Sequence, residues 1–165
     1  MANYIYPAPG VGAKQLTLNV HYTSKTADSA GLNIPSLQDV TVNAANDVFT
    51  WTQLDAAAKK QIATTATNSL GMNLVVDQES FFGTGTNPTT TAAGAGVFGL
   101  STQKARVQFD LYLGDESDAT EGKFISGYGY ITGLAPTVSA DSPVWVSPIT
   151  LTVDSDYTVA DAALS

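Results

Sequence analysis

The sequence predicts a mainly β protein: a β-sandwich or partly closed barrel with one flanking α-helix and a long inter-strand loop. Gln15–Tyr22 and Ala105–Leu113 alternate apolar and polar residues strictly, the period of a half-buried strand. Residues 123–153 read as two further long strands of alternating pattern, joined by the polar connection Leu134–Pro143. Turn signals recur every ~10–15 residues, as expected for many antiparallel strands.

The remaining elements follow in chain order. Residues 1–14 carry Pro7, Pro9, Gly10 and Gly12 and read as an irregular arm. After the first strand, Ser24–Pro35 is turn-rich. Gln38–Val42 and Val48–Trp51 read as short strands separated by a turn at Asn43–Asp47. Thr52 resembles a helix N-cap, with Asp55 three residues on. Leu54, Ala58, Ile62 and Ala66 then recur every four residues. That stripe predicts the flanking helix over 52–68, stopped by Gly71. Asn73–Val76 is the next strand. Residues 78–103 hold Phe81-Phe82-Gly83, a Thr/Asn/Pro run and Gly94-Ala95-Gly96. They read as a long loop of the kind usually tied to function. Gly114–Gly122 is an acidic turn, and 154–165 a polar tail with a helix-like patch at Val159–Leu164. The whole, 1–165, has the length of a single domain.

Composition narrows the function. At 44% hydrophobic the chain can build a core, but only 13% of it is charged, against ~25% in ordinary soluble domains. A surface filled with Thr, Ser, Asn and Gly suits a protein covered by its neighbours, and equally an extracellular-type β domain. The net charge of −8 argues against non-specific nucleic-acid binding, which needs a basic patch. It is compatible with a wall that DNA slides past. The absence of cysteine excludes disulfides and thiolate metal sites. The amino end has neither the basic start nor the apolar run of a signal peptide, so cytoplasmic synthesis is the expectation.

No residue pattern selects a catalytic centre, so no enzyme activity, cofactor or metal is expected. His21 is the single histidine and has no carboxylate near it in sequence; a surface or interface role accounts for it. The acidic turn Asp115-Glu116-Ser117-Asp118-Ala119-Thr120-Glu121 offers oxygen ligands for calcium, but without EF-hand spacing a solvated charge run explains it better. Gly83-x-Gly85 and Gly94-x-Gly96 lack the Lys-Ser/Thr of a P-loop. Trp51 precedes the expected helix and reads as core, whereas Trp145 lies between Val144 and Val146 on a face that alternation leaves open.

The stretch Lys123-Phe124-Ile125-Ser126-Gly127-Tyr128-Gly129-Tyr130-Ile131-Thr132-Gly133, with Ser147-Pro148-Ile149-Thr150-Leu151-Thr152-Val153, resembles the closing hairpin of the bacteriophage major tail protein, or tail tube, family of long-tailed phages. There a strand bearing glycine and aromatics leads through a polar segment into a final strand of Ser/Thr and aliphatics. The likeness covers the last third of the chain well and the rest in general layout, with no match across residues 24–50.

The resemblance implies a structural virion protein of the tail, made in the host cytoplasm. Its subunits would form hexameric rings that stack around a DNA-conducting lumen. Its partners are then further copies of itself and other tail proteins, with DNA passing unbound and no membrane involved. In that frame Phe81, Phe82, Gly83, Gly94, Gly96 and Phe98 are expected at subunit interfaces, together with the arms 1–14 and 154–165. Asp110, Asp115, Glu116, Asp118 and Asp141 are candidates for an acidic, phosphate-repelling lumen. The alternative is a β-sandwich binding module, such as a capsid decoration or carbohydrate-binding protein, with Trp145, Tyr128 and Tyr130 stacking on sugar rings.

Overall fold

The structure, a computed structural model, describes residues 16–22, 31–34, 37–54, 57–85, 91–113 and 123–161. The arm 1–14 and the acidic turn 114–122 lie outside them. The strands are β1 (Leu16–Tyr22), β2 (Leu32–Ile34), β3 (Leu37–Thr52), β4 (Lys59–Val75), β5 (Val107–Leu113), β6 (Lys123–Leu134), β7 (Thr137–Ser139), β8 (Ser142–Val153) and β9 (Thr158–Asp161). Helices α1 (Gln78–Phe82) and α2 (Ala92–Thr102) lie between β4 and β5. All the strands join one antiparallel sheet in the order β2-β1-β5-β6-β8-β4-β3, which does not close into a barrel; β7 pairs with β8 and β9 with β6.

The predicted class therefore holds, but several elements differ. The helix expected over 52–68 is most of β4. A four-residue recurrence places side chains on one side of a strand as well as of a helix, so Leu54, Ala58, Ile62 and Ala66 do not distinguish the two. The β-branched run Ile62, Thr64, Thr65, Thr67 and the pairing with β3 decide for strand. The turn expected at Asn43–Asp47 is absent, because β3 runs through it against β4 with a bulge near Asn46–Val48. Part of the stretch read as turns is β2, and the helix-like patch at 159–164 is, where described, β9.

The expected loop 78–103 supplies the flanking helices. The Asp77 carboxylate accepts from the Ser80 backbone N–H at 2.7 Å and also contacts the Ser80 hydroxyl, capping α1. Thr91 caps α2 through the Gly94 N–H at 3.1 Å. Three glycines in α2 hid the helix from the sequence pattern. Two of the glycines in this region are sterically required. Gly83 has φ 80° and Gly96 φ 65°, where α2 is interrupted, and a Cβ on Gly96 would sit 2.6 Å from the Phe81 carbonyl oxygen.

The core fills the space between one sheet face and these helices. Val107, Phe109 and Leu111 point inward as the alternation predicts, meeting Leu70, Leu74 and Leu151 from the sheet and Phe81, Val97 and Leu100 from the helices. The opposite face has no covering layer among the described residues. It carries Thr41 and Asn43 of β3, Thr150 and Thr152 of β8, and Tyr128, Tyr130 and Thr132 of β6.

Candidate subunit interface

Two features organise the exposed surface. The first is the β3–β4 hairpin. β8 covers β4 only from Asn68 to Val75, so the hairpin beyond Asn46 and Ala66 leaves the sheet as a two-stranded ribbon about 20 Å long. Phe49 pairs with Ile62 and Trp51 with Lys60, which puts these four on one side of the ribbon. The Phe49 and Trp51 rings stack with centroids 5.9 Å apart. Phe49 is 59% exposed, Ile62 55%, and Leu54 at the tip is fully exposed. An isolated hairpin is marginal in water, so an apolar ribbon of this length needs a partner.

The ribbon is braced where it departs from the sheet. β8 and β9 run along the same edge of β6, separated by Asp154–Tyr157, which bulges opposite Gly127 and Tyr128. From this bulge the Tyr157 hydroxyl reaches the carbonyl oxygens of Asn43 at 2.8 Å and Ser69 at 2.9 Å. The buried Asn68 amide donates to the Ser155 carbonyl oxygen at 3.1 Å. Burial raises the Tyr157 phenol above its ordinary pKa, an effect that its bond to Ser69 partly offsets.

The second feature is the uncovered polar face. Its guanidinium, Arg106, is bound by both carboxylate oxygens of Asp154 at 2.6 and 3.2 Å and lies 4.5 Å over the Tyr128 ring. The Asp154 hydrogen bond is the main reason its pKa is raised. The guanidinium thus covers one face of the Tyr128 ring, one of the sugar-stacking platforms considered for a binding module. Trp145, 51% exposed, lies at the far end of β8 rather than beside Tyr128 and Tyr130.

The residues singled out from the sequence are scattered. Phe81 is fully buried, Gly94 and Gly96 are buried and Gly83 is half-buried, all packed within the subunit. Phe82 and Phe98 are exposed at 51% and 41%, their rings 5.9 Å apart, and form a patch on the helical layer. Asp110 lies half-buried in β5, accepting from the Ser126 hydroxyl at 2.7 Å, with the His21 imidazole 3.9 Å away. Asp141 is exposed in the β7–β8 turn. Asp115, Glu116 and Asp118 lie outside the described residues. Among the described residues no three His, Cys, Asp or Glu side chains converge on a metal position. The ribbon's β3 arm was read as a strand at Val48–Trp51, but its β4 arm and their pairing were missed. The signal of the β4 arm in the sequence was the β-branched run after Ile62.

No protein-family model matches the sequence, and no curated protein matches it. Solved structures do. A chain of the SPP1 tail tube superposes with a TM-score of 0.62 at 8% identity, over 94% of this chain and 81% of that one. A chain from the tail of the empty gene transfer agent particle, refined with C6 symmetry, gives 0.58 at 10% identity over 87% and 95%. A chain of the sheath–tube complex of the PVC extracellular contractile injection system, in its extended state, gives 0.55 at 12% identity over 93% of each. The chain has the tail-tube fold. The likeness runs over most of the chain and so extends beyond the closing hairpin from which the sequence resemblance came.

Proposed function

We propose that this chain is the repeating subunit of a phage-type tail tube, assembling into hexameric rings that stack around a lumen through which DNA passes. The observation that carries the reading is the β3–β4 ribbon, an exposed apolar projection on a subunit whose core is otherwise complete. Further support comes from the sheet edge. β3 offers sixteen residues of strand with no partner on its outer side among the described residues, the kind of edge that a neighbouring copy covers in a closed ring. The C6 symmetry of the gene transfer agent tail supports six as the ring number. The polar face of the sheet is the candidate lumen wall. Threonine, asparagine and tyrosine bring no positive charge to neutralise phosphates, and Arg106 is already held by Asp154. Asp110 would add negative charge to that wall. The subunit's role is structural, with other tail proteins as partners and the virion tail as its location.

Negative-stain electron microscopy of the purified chain at rising concentration tests this. Hollow tubes or six-fold rings are expected. Subunits that remain monomeric at every concentration, with and without a preformed tail tip as seed, would overturn it.

A further inference from the structure

The helices cover only part of the sheet. α1 packs on β2, and α2 packs on β2, β1 and β6. β2 is one edge of the sheet and β3 is the other, so the helical layer stands over the β2 side. Directly paired residues of an antiparallel sheet share a face, so Val42 beside Leu70 and Val40 beside Met72 both point to the core side. Leu70 and Met72 are buried, yet Val40 is only half-buried and Val42 is 37% exposed. Residues of core type thus lie in the open at the β3 edge, with no covering layer among the described residues. At the β2 edge the reverse holds. Phe82 of α1 and Phe98 of α2 flank the buried Phe81, whose ring lies 5.0 and 6.1 Å from theirs. That packing holds two aromatic rings at the surface of a helical layer whose inner side is already filled.

Resting on the tube reading, we propose that Phe82 and Phe98 of one subunit cover Val40 and Val42 of the neighbouring copy in the same ring, so that each helical layer extends over the next subunit's sheet. The two patches lie on the same side of the sheet, each beside a terminal strand, and at opposite edges. A copy set edge to edge against β3 brings its β2 edge, and the helices above it, to that place. Around Val42 the strand offers Thr41, Asn43 and Ala44, so the cover buries no charge there. Large aromatics at a desolvated centre carry most of the binding in such contacts. Donor and acceptor are different patches, which makes the contact heterologous, and a heterologous contact closes when the rotation returns to the first subunit. The contact therefore runs around the ring.

The sequence has no cysteine, so thiols can be placed without background. The variant Phe82→Cys/Val42→Cys, assembled and then treated with a short bis-maleimide, is expected to give a ladder on a denaturing gel that ends at the hexamer. A mixture of the two single-cysteine variants should give dimers and nothing larger. Read separately, Phe82→Ser should raise the concentration needed for rings about ten-fold, the loss of one large aromatic contact, with an unchanged circular dichroism spectrum. Assemblies of the double-cysteine variant that do not cross-link, a ladder that runs past the hexamer, or Phe82→Ser rings at the wild-type concentration would overturn this contact, while wild-type tubes leave the tube reading standing. Absence of wild-type tubes would instead overturn the tube reading on which it rests.

Discussion

The Tyr157 hydroxyl lies 2.8 Å from the carbonyl oxygen of Asn43, a residue 114 positions earlier in the chain. It shares its one proton with Ser69, directly across the hairpin from Asn43. A single side chain thus clamps both strands where the ribbon leaves the sheet, and its ring packs edge-on against Phe109 with centroids 6.3 Å apart.

Removing the hydroxyl isolates that clamp. Tyr157→Phe should cost the subunit about 1 kcal/mol in urea denaturation, the net value of one such hydrogen bond. It should also loosen the ribbon, seen as faster amide exchange at Asn43 and Ser69. An unchanged midpoint and unchanged exchange would rule out the clamp.

The same residue sets an alkaline limit. Its folded pKa is raised above the ordinary value of 10.0, so its contribution is fully present below that pH and declines as the pH climbs through the raised folded value. Wild-type stability should fall above pH 10 more steeply than that of Tyr157→Phe. Parallel curves for the two proteins would exclude Tyr157 as the source.

Core and ribbon aromatics should behave oppositely. Phe109→Ala removes a fully buried ring and is expected to cost about 3–5 kcal/mol. Phe49→Ala, on an exposed position, should change subunit stability by less than about 0.5 kcal/mol yet abolish tubes by electron microscopy. Loss of stability at Phe49 with tubes retained would contradict its assignment to an interface.

How much of this was legible in the sequence depends on which signal each element sent. β1, β5, β6 and β8 were readable because each keeps one face on the core, and burial imposes strict alternation. Of the ribbon, Val48–Trp51 was read as strand, but the β4 arm was misread because neither of its faces is buried within the subunit. Without a core to impose period two, the spacing of Leu54, Ala58, Ile62 and Ala66 mimicked a helix. The helices failed for the converse reason. Gly94, Gly96 and Gly99 lower helix propensity, but Gly83 and Gly96 are what let α1 and α2 cross closely, a packing demand invisible to local pattern. Phe81 and Phe82 illustrate the same limit: adjacent in sequence, one is fully buried and the other half in solvent.

The glycine crossing can be tested directly. Gly96→Ala combines a positive φ with a Cβ pressed against the Phe81 carbonyl, and should destabilise the subunit by about 1–3 kcal/mol in urea. A loss under about 0.5 kcal/mol, the size of a neutral surface change, would show that the crossing tolerates a side chain.

Charge masking on the polar face has its own test. Wild-type protein should not retain duplex DNA in a gel-shift assay. Asp154→Ala removes the carboxylate that pairs with Arg106 and should create binding that weakens with added salt. Equal behaviour of the two proteins would mean that the ion pair has no part in keeping DNA off this face.

Strand order also bears on when the subunit becomes competent during synthesis. β4 is made well before its neighbour β8, the Asp154–Tyr157 bulge and β9. Until they emerge from the ribosome, β4 lacks its inner partner and the ribbon its brace. Pairings this distant in sequence also close slowly. The fold thereby acts as a timer: the projection gains its brace only after residues 142–161 have been translated.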